Sequence, residues 1–203
     1  MAKRDGTQDL RIIRTQRLIK QAFYDLIKEK GFEQITVKDI TDRAMISRNT
    51  FYLHYSDKYD LLNKQCDELM RNLFFNVGRQ IHDLKKEDHT VESIAAVISY
   101  GIKTIAEDKE HYSILLSDVS SDILTTKMTD TIKSSVKYIR KDAFEINDFQ
   151  LTYIVSGMTG IIKYYLTNGV EDIDKECRSF ADMHLSKIIE MRKLRNAEEQ
   201  NEQ

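Results

Sequence analysis

The chain has 203 residues, of which 41% are hydrophobic and 32% are charged, a composition typical of a folded globular protein rather than a disordered one. It contains no proline and only 7 glycines, and because proline breaks helix interiors, these counts favour an all-α fold. The two cysteines, Cys66 and Cys177, are too few and too far apart for a disulfide framework, and no apolar run approaches the ~18 residues of a membrane span, so a cytoplasmic protein without a membrane partner is expected.

Charge is unevenly divided along the chain, although the net charge is only −2. Residues 1–65 carry 13 basic and 9 acidic side chains and have a net charge of +4. The remaining residues carry 18 basic and 24 acidic side chains and have a net charge of −6. A basic N-terminal part indicates a surface that faces a polyanion, although solvated surfaces also divide in this way by chance.

The first predicted helix covers residues 11–30, where apolar residues recur at intervals of three and four. Gly31 follows it, at the position where a glycine often ends a helix in the left-handed conformation. Thr36 is predicted to cap a second helix, with Asp39 three residues later completing a capping box. The second helix is expected to end near Ala44.

Ser47 is predicted to cap a short third helix that ends near Tyr55. A long helix is predicted to follow from Lys58 to about Lys86, because its apolar residues continue as one stripe. The stripe consists of Leu62, Cys66, Leu69, Leu73, Val77, Ile81 and Leu84. Further helices are predicted over residues 90–107, 110–117, 122–144, 148–168 and 172–196.

The second and third predicted helices are joined by a tight turn at residues 44–46, which is the spacing of a helix-turn-helix motif. In such a motif the second of the two helices lies in the major groove of DNA. Here that helix contains Arg48 and Asn49, whose side chains can form bidentate hydrogen bonds with guanine and adenine. The sequence therefore predicts a three-helix DNA-binding domain over residues 1–57 and a helical regulatory and dimerisation domain over residues 58–203.

Two stretches resemble the DNA-binding domain of TetR-family transcriptional regulators, and they are GFEQITVKDI at residues 31–40 and AMISRNTFYLHYSDK at residues 44–58. The family pattern is GF or GY, then T-V-x-x-I-A, then A-G-V-S-x-x-T-x-Y-x-H/Y-F-x-x-K-x-x-L. This chain departs from it at Thr41, which replaces an alanine, and at Met45, which replaces the turn glycine. If the family's turn requires a positive φ at this glycine, either Met45 is strained or the turn of this chain differs.

The resemblance implies that eight side chains contact DNA, namely Thr36, Lys38, Arg48, Asn49, Thr50, Tyr52, His54 and Lys58. Thr36 and Lys38, at the start of the second helix, would contact phosphates. Arg48, Asn49 and Thr50 of the third helix would face bases. Tyr52 and His54 would contact the backbone or bases, and Lys58 would bind a phosphate together with the N-terminus of its helix. Taken singly, each of these residues could equally be an ordinary surface residue, so the prediction depends on the whole pattern.

The apolar stretch at residues 154–169 resembles the penultimate helix of TetR-family regulators. The resemblance implies that this helix and the last one pair with their counterparts in a homodimer. The predicted interface residues are Ile154, Gly157, Met158, Ile161, Tyr165, Ala181, His184 and Ile188. The alternative is that both helices bury these residues within one chain. A protein that binds a near-palindromic operator needs two DNA-binding domains, which favours the interface.

Most members of the family bind a small effector, and four aromatic residues are predicted to line its pocket, namely Tyr100, Tyr112, Phe144 and Tyr153. An ordinary aromatic core is the alternative for each of them. A protein partner could also replace the small molecule as the signal. The sequence does not distinguish these possibilities.

An enzyme is not predicted, because the chain lacks a glycine-rich phosphate loop, a nucleophile elbow and the Cys/His spacing of a metal site. No cofactor or metal is expected either. The predicted function is sequence-specific binding of double-stranded DNA by a homodimer, whose third helices enter successive major grooves about 34–36 Å apart. Repression controlled by a small molecule is the main expectation. An activator or co-regulator controlled by a protein partner is the alternative.

Overall fold

A computed structural model describes residues 6–83, 91–116, 120–139, 147–183 and 186. All regular elements in these described ranges are α-helices, which confirms the all-α prediction. In chain order they are α1 (Gly6–Lys30), α2 (Val37–Ala44), α3 (Arg48–Tyr52), α4 (Lys58–Asp83), α5 (Val91–Glu107), α6 (Lys109–Leu116), α7 (Ser120–Ile139) and α8 (Asp148–Asn168). Residues 173–183 are also helical. Each helix in these ranges is too short or too polar to cross a bilayer.

The chain divides into two compact units. Unit 1 comprises Met1–Glu68 together with Ser113–Leu124. Unit 2 comprises Leu69–Tyr112 together with Thr125–Gln203. The division between residues 68 and 69 falls within α4, and the whole predicted DNA-binding domain, residues 1–57, belongs to unit 1.

Unit 1 is built around aromatic and aliphatic side chains from its successive helices. Phe23 of α1 and Phe32 of the following loop are fully buried and meet edge to face, with ring centroids 6.2 Å apart. Phe51 of α3 is 0% exposed and anchors that short helix to the same unit. Burying side chains of this size contributes about 1.5–3 kcal/mol each. The core therefore fixes the positions of three helices too short or too polar to be stable alone.

The predicted α4 stripe is confirmed where side chains are described. Leu62, Cys66, Leu69 and Leu73 are buried, whereas Val77 is half-buried. The side chains of Ile81 and Leu84 lie outside the described residues. The same holds for the predicted continuations of α4 to residue 86, of α7 to residue 144 and of the last helix to residue 196.

Unit 2 buries a second apolar core, formed by α5, α8 and the helical segment 173–183 among others. Its members include Ile98, Ile102, Ile105, Val155, Ile162, Leu166, Cys177 and Ala181. Lys103 of α5 also forms an ion pair with Asp174, with Nζ 2.7 Å from a carboxylate oxygen. Ser99 donates a hydrogen bond to the same carboxylate. These contacts connect α5 to the segment at residues 173–183.

Candidate nucleic-acid interface

Two ion pairs join the end of α1 to α2. Arg43 donates two hydrogen bonds to the carboxylate of Glu29, at 2.8 and 2.7 Å. Lys30 lies 3.0 Å from a carboxylate oxygen of Asp39. Exposed pairs of this kind contribute little to stability individually, but the bidentate geometry orients α2 against α1.

The predicted capping box at the start of α2 is confirmed. The amide of Asp39 donates to the hydroxyl of Thr36 at 3.2 Å, and the amide of Thr36 donates to the Asp39 carboxylate at 2.8 Å. Hydrogen bonds from Thr36 and then from Lys30 lower the pKa of Asp39 to about 2. The hydroxyl of Thr36, although exposed, is therefore already occupied within the chain.

The turn between α2 and α3 does require a positive φ. Met45 adopts φ 53° and ψ 45°, the left-handed conformation, and its amide donates to the carbonyl of Asp42 at 3.2 Å. The amide of Ile46 donates to the carbonyl of Thr41 at 3.0 Å. The side chain of Met45 is 91% exposed and gains no packing in return. Of the two alternatives expected from the replacement of the turn glycine, the structure shows the first, a strained Met45 in the left-handed conformation.

Ser47 caps α3 as predicted, with its hydroxyl accepting the amide hydrogen of Thr50 at 3.0 Å. The helix ends at Tyr52, earlier than predicted, and Leu53 still has helical angles, φ −69° and ψ −20°. Phe51 and Tyr55 are buried, and their ring centroids are 5.6 Å apart. These two aromatic residues fix one side of α3 in the unit and leave the opposite side in solvent.

The solvent side of α3 carries four exposed side chains, which we call the α3 face: Arg48, Asn49, Tyr52 and Leu53. At about 100° per residue these positions span roughly 140° of the helix circumference. Within the described part of the chain, the side chains of Arg48 and Asn49 form no hydrogen bond or ion pair. Both can therefore reach a ligand without breaking an existing contact. Sequence reasoning missed Leu53, which is 82% exposed and which helical geometry places on this face.

Three of the other predicted DNA contacts already have polar partners or are partly covered. Lys38 forms an ion pair with Asp42 at 2.6 Å. The hydroxyl of Thr50 lies 2.8 Å from that of Ser47. His54 is half-buried, and its carbonyl accepts a hydrogen bond from Lys64 at 3.0 Å. Their roles towards DNA stay predictions.

The ammonium group of Lys58 already forms several contacts within the chain, which its predicted phosphate-binding role does not require. Its ammonium donates to the carbonyls of Phe32 and Glu33, at 3.1 and 3.0 Å. It also lies 4.7 Å from the ring centroid of Phe32 and 5.3 Å from that of Tyr59. A phosphate would have to compete with these contacts, so the structure gives Lys58 a role in joining α4 to the loop before α2.

In unit 2, α8 exposes one uncharged face, which we call the α8 face. It consists of Phe149, Tyr153, Ser156, Gly160 and Tyr164, spaced three or four residues apart and all exposed. Three aromatic members are 84%, 59% and 61% exposed. An exposed apolar strip of this kind indicates an interaction surface.

The predicted interface residues lie beside the α8 face rather than on it. Ile154, Gly157, Met158, Ile161 and Tyr165 are half-buried. Ala181 is 0% exposed within the single chain and belongs to the core of unit 2, so its place in an interface stays a prediction. The side chains of His184 and Ile188 lie outside the described residues.

A groove of about 680 Å³ is lined by two members of the α8 face, Gly160 and Tyr164, together with residues of α5, other residues of α8 and residues within 169–183. Ile98, Ile161, Cys177 and Phe180 are among its apolar walls. Burial, followed by the charge of Asp174, raises the pKa of the Cys177 thiol to about 11. That thiol therefore contributes to the groove as an uncharged group.

The aromatic residues predicted to line an effector pocket do not line this groove. Tyr100 and Tyr153 are 38% and 59% exposed to solvent. Tyr112 is buried, and its hydroxyl donates to the carbonyl of Leu69 at 3.1 Å. Phe144 lies outside the described residues. Whether these four residues line an effector pocket therefore stays a prediction.

Comparison with known proteins gave matches to transcriptional regulators. Residues 19–64 match the model of the family described as bacterial regulatory proteins, tetR family. The HTH-type transcriptional regulator YxbF of Bacillus subtilis is 31% identical over 96 residues, which cover 45% of this chain and 25% of YxbF. The fatty acid metabolism regulator protein of the same organism is 26% identical over 153 residues, which cover 75% of this chain and 66% of that protein.

The chain thus spans less than two thirds of the length of these relatives. A solved structure of a TetR transcriptional regulator from Streptococcus agalactiae has the same fold, with a TM-score of 0.62 and 22% identity, covering 87% of this chain and 96% of that one. The relatives are regulators of transcription and not enzymes, which agrees with the prediction from the sequence.

Proposed function

We propose that this chain, which belongs to the TetR family of bacterial regulatory proteins, represses transcription by binding a near-palindromic DNA sequence as a homodimer. The observation that carries the proposal is the α3 face. Arg48 and Asn49 are exposed there and form no side-chain hydrogen bond or ion pair in the described part of the chain, while buried Phe51 fixes the opposite side of the helix. A rigid helix with free donors and acceptors suits the edges of bases in the major groove.

In this proposal each side chain of the interface has one role. Arg48 donates to guanine, and Asn49 forms the bidentate pair with adenine. Thr36 and Lys38 lie at the start of α2, and Thr50, Tyr52 and His54 lie on or next to α3. In this proposal these five residues contact phosphates or neighbouring bases. Lys58 supports the interface from within unit 1, because its ammonium is held by two backbone carbonyls.

The DNA-binding claim is tested by selection from a pool of random duplexes, to which fragments from around the protein's own gene are added. The bound sequences are then measured by fluorescence anisotropy over a range of salt concentrations, with random competitor DNA present. We expect one enriched, two-fold symmetric sequence, bound much more tightly than random DNA and with affinity that falls as salt rises. Recovery of unselected, random sequences would overturn the proposal.

The homodimer is supported by the α8 face. Among its members, Tyr153, Gly160 and Tyr164 combine apolar area with a small residue that permits close approach of a second helix. The five members of this face are uncharged, with the half-buried Lys163 at its edge, whereas solvated faces of helices commonly carry several charges. A second copy of the chain covers the face in a symmetric interface, which also brings two α3 helices to one duplex.

Gly160 provides a direct test of the dimer. A Cβ atom at this position has no neighbour within 4 Å in the single chain, so Gly160→Glu should fold normally. In the dimer the new charge would be buried, and we expect a monomer by sedimentation and a large loss of affinity for the symmetric site. Gly78→Glu is the matched control, because a Cβ there also has no neighbour within 4 Å. A Gly160→Glu variant that remains dimeric would contradict this interface.

The effector is proposed to bind in the groove that Gly160 and Tyr164 of the α8 face help to line, at the edge of the proposed dimer interface. About 680 Å³ is within the size range of small-molecule sites, and Ile98, Ile161 and Phe180 make its walls largely apolar. Since one relative is a fatty acid metabolism regulator, long-chain fatty acids are the first class of compound to test. A ligand at this position alters the packing of the two copies and thereby lowers affinity for the symmetric site.

This site is tested by introducing a larger side chain at a position that lines the groove. Ile161→Trp adds volume at a half-buried lining position, and we expect DNA binding to persist while release by added fatty acid is lost. Ala96→Trp, at an exposed position of α5 that does not line the groove, is the control and should keep the response. An Ile161→Trp variant that releases DNA like the wild type would place the effector elsewhere.

A further inference from the structure

Leu53 is an aliphatic side chain placed among polar ones. It is 82% exposed, next to Tyr52, which is 54% exposed. Most large apolar side chains of this unit are buried, including Phe51 two residues earlier. The side chain of Leu53 has no polar atom, so neither a side-chain hydrogen bond nor an ion pair explains its position on the α3 face.

The backbone fixes the direction of Leu53 relative to Asn49. Leu53 has φ −69° and ψ −20°, and its amide donates to the carbonyl of Asn49 at 3.1 Å. It therefore continues the helix, one turn beyond Asn49 and about 40° further around the axis. Side chains four residues apart on a helix have Cβ atoms about 5–6 Å apart, which corresponds to between one and two base-pair steps of DNA.

The floor of the major groove offers few partners to an aliphatic side chain. Guanine, adenine and cytosine present only hydrogen-bond donors and acceptors there, whereas thymine also presents its C5-methyl group. Placing Leu53 against a polar base edge would desolvate that edge without replacing its hydrogen bonds with water. A thymine methyl is the base substituent that a leucine at this position can contact favourably.

We propose that Leu53 selects thymine by contact with its methyl group, at a base pair within two steps of the one that Asn49 contacts. This inference rests on the proposed function, since it requires that the α3 face enters the major groove. It adds an apolar specificity-determining residue to a face otherwise described by its polar side chains. A protein partner is disfavoured, because the exposed and unpaired Arg48 and Asn49 on the same face suit a nucleic acid better than an apolar protein surface.

The test removes one methyl group from the DNA at a time. In the duplex obtained by selection, each thymine is replaced in turn by deoxyuridine, which keeps every hydrogen bond and loses only the methyl. Affinities are measured for the wild type and for Leu53→Ala, which should fold normally because the side chain is exposed. Met45→Ala is the control, since Met45 is 91% exposed but lies in the turn outside the α3 face.

We expect one thymine in each half-site whose replacement weakens wild-type binding about fourfold, the effect of burying one methyl group. The same replacement should have no effect on Leu53→Ala and an unchanged fourfold effect on the control. The sensitive thymine should lie within two base pairs of the position whose preference is lost in Asn49→Ala. A duplex that is selected but shows no methyl effect, or shows the same effect in Leu53→Ala, would overturn this inference alone. Failure to select any sequence would overturn the proposed function as well.

Discussion

Replacing Met45 by glycine should stabilise unit 1. Met45 holds φ 53° and ψ 45°, a conformation that costs a residue with a Cβ atom about 1–2 kcal/mol. Glycine removes this cost but adds about 0.5–1 kcal/mol of chain entropy in the unfolded state. The lost side chain is 91% exposed and buries almost no apolar area. The expected balance is a gain of about 0.5–1 kcal/mol in the free energy of unfolding.

The gain is measured by urea unfolding, monitored by far-UV circular dichroism. The dependence of the free energy of unfolding on urea concentration is compared between variants, because a change in midpoint reports stability only when this slope is unchanged. Amide hydrogen exchange in α2 locates the gain, because it reports opening of unit 1 itself. Met45→Ala is the control, since alanine loses the same side chain but keeps the Cβ atom. The reasoning is refuted if Met45→Gly is less stable than the wild type, or if the alanine variant gains as much.

The other predictions concern groups with unusual surroundings. Asp39 has a pKa of about 2 in the folded protein, below its ordinary value of 3.8, so its contribution to stability is present above pH 3.8 and is lost as the pH falls towards 2. The free energy of unfolding of Asp39→Asn should therefore depend less on pH in this window. A pH profile like that of the wild type would contradict the assignment. Lys58→Met should lower the stability of the protein by about 1–2 kcal/mol, because two carbonyls lose a charged donor. The logarithm of the DNA-binding constant of this variant should fall with the logarithm of salt concentration as steeply as that of the wild type. A slope smaller by about one would reveal a phosphate contact of Lys58. Burial raises the pKa of Cys177 to about 11. At pH 8 a thiol reagent should therefore modify this residue far more slowly in the native protein than in urea. Equal rates of modification would show that the thiol is accessible.

Local signals in the sequence were sufficient to predict the frame of unit 1. The capping residues Thr36 and Ser47 and the helix end at Gly31, which has φ 78°, follow from side-chain chemistry within a few residues. The burial of Phe51 and Tyr55 also agrees with their spacing, because residues four apart share one side of a helix. Such signals do not depend on the rest of the fold.

Features that depend on distant contacts were not predictable in this way. The partners of Lys58 are carbonyls 25 and 26 residues earlier in the chain, so a phosphate-binding role was equally consistent with its position at the start of α4. In α8 apolar residues occur on several sides, and periodicity alone did not identify which side faces solvent. Leu53 was missed because an apolar residue is ordinarily assigned to a core, and only its exposure in the structure reveals that it belongs to the α3 face.

The measurement that tests the central claim most directly is the affinity of the wild type, Arg48→Ala and Asn49→Ala for every single base-pair variant of the selected duplex. We expect each protein variant to lose its base preference at one position per half-site, where binding of the preferred base pair weakens by about 1–3 kcal/mol, and to keep its preferences at all other positions. Equal weakening on every duplex, with all preferences retained, would show that the α3 face does not contact the bases and would contradict the account.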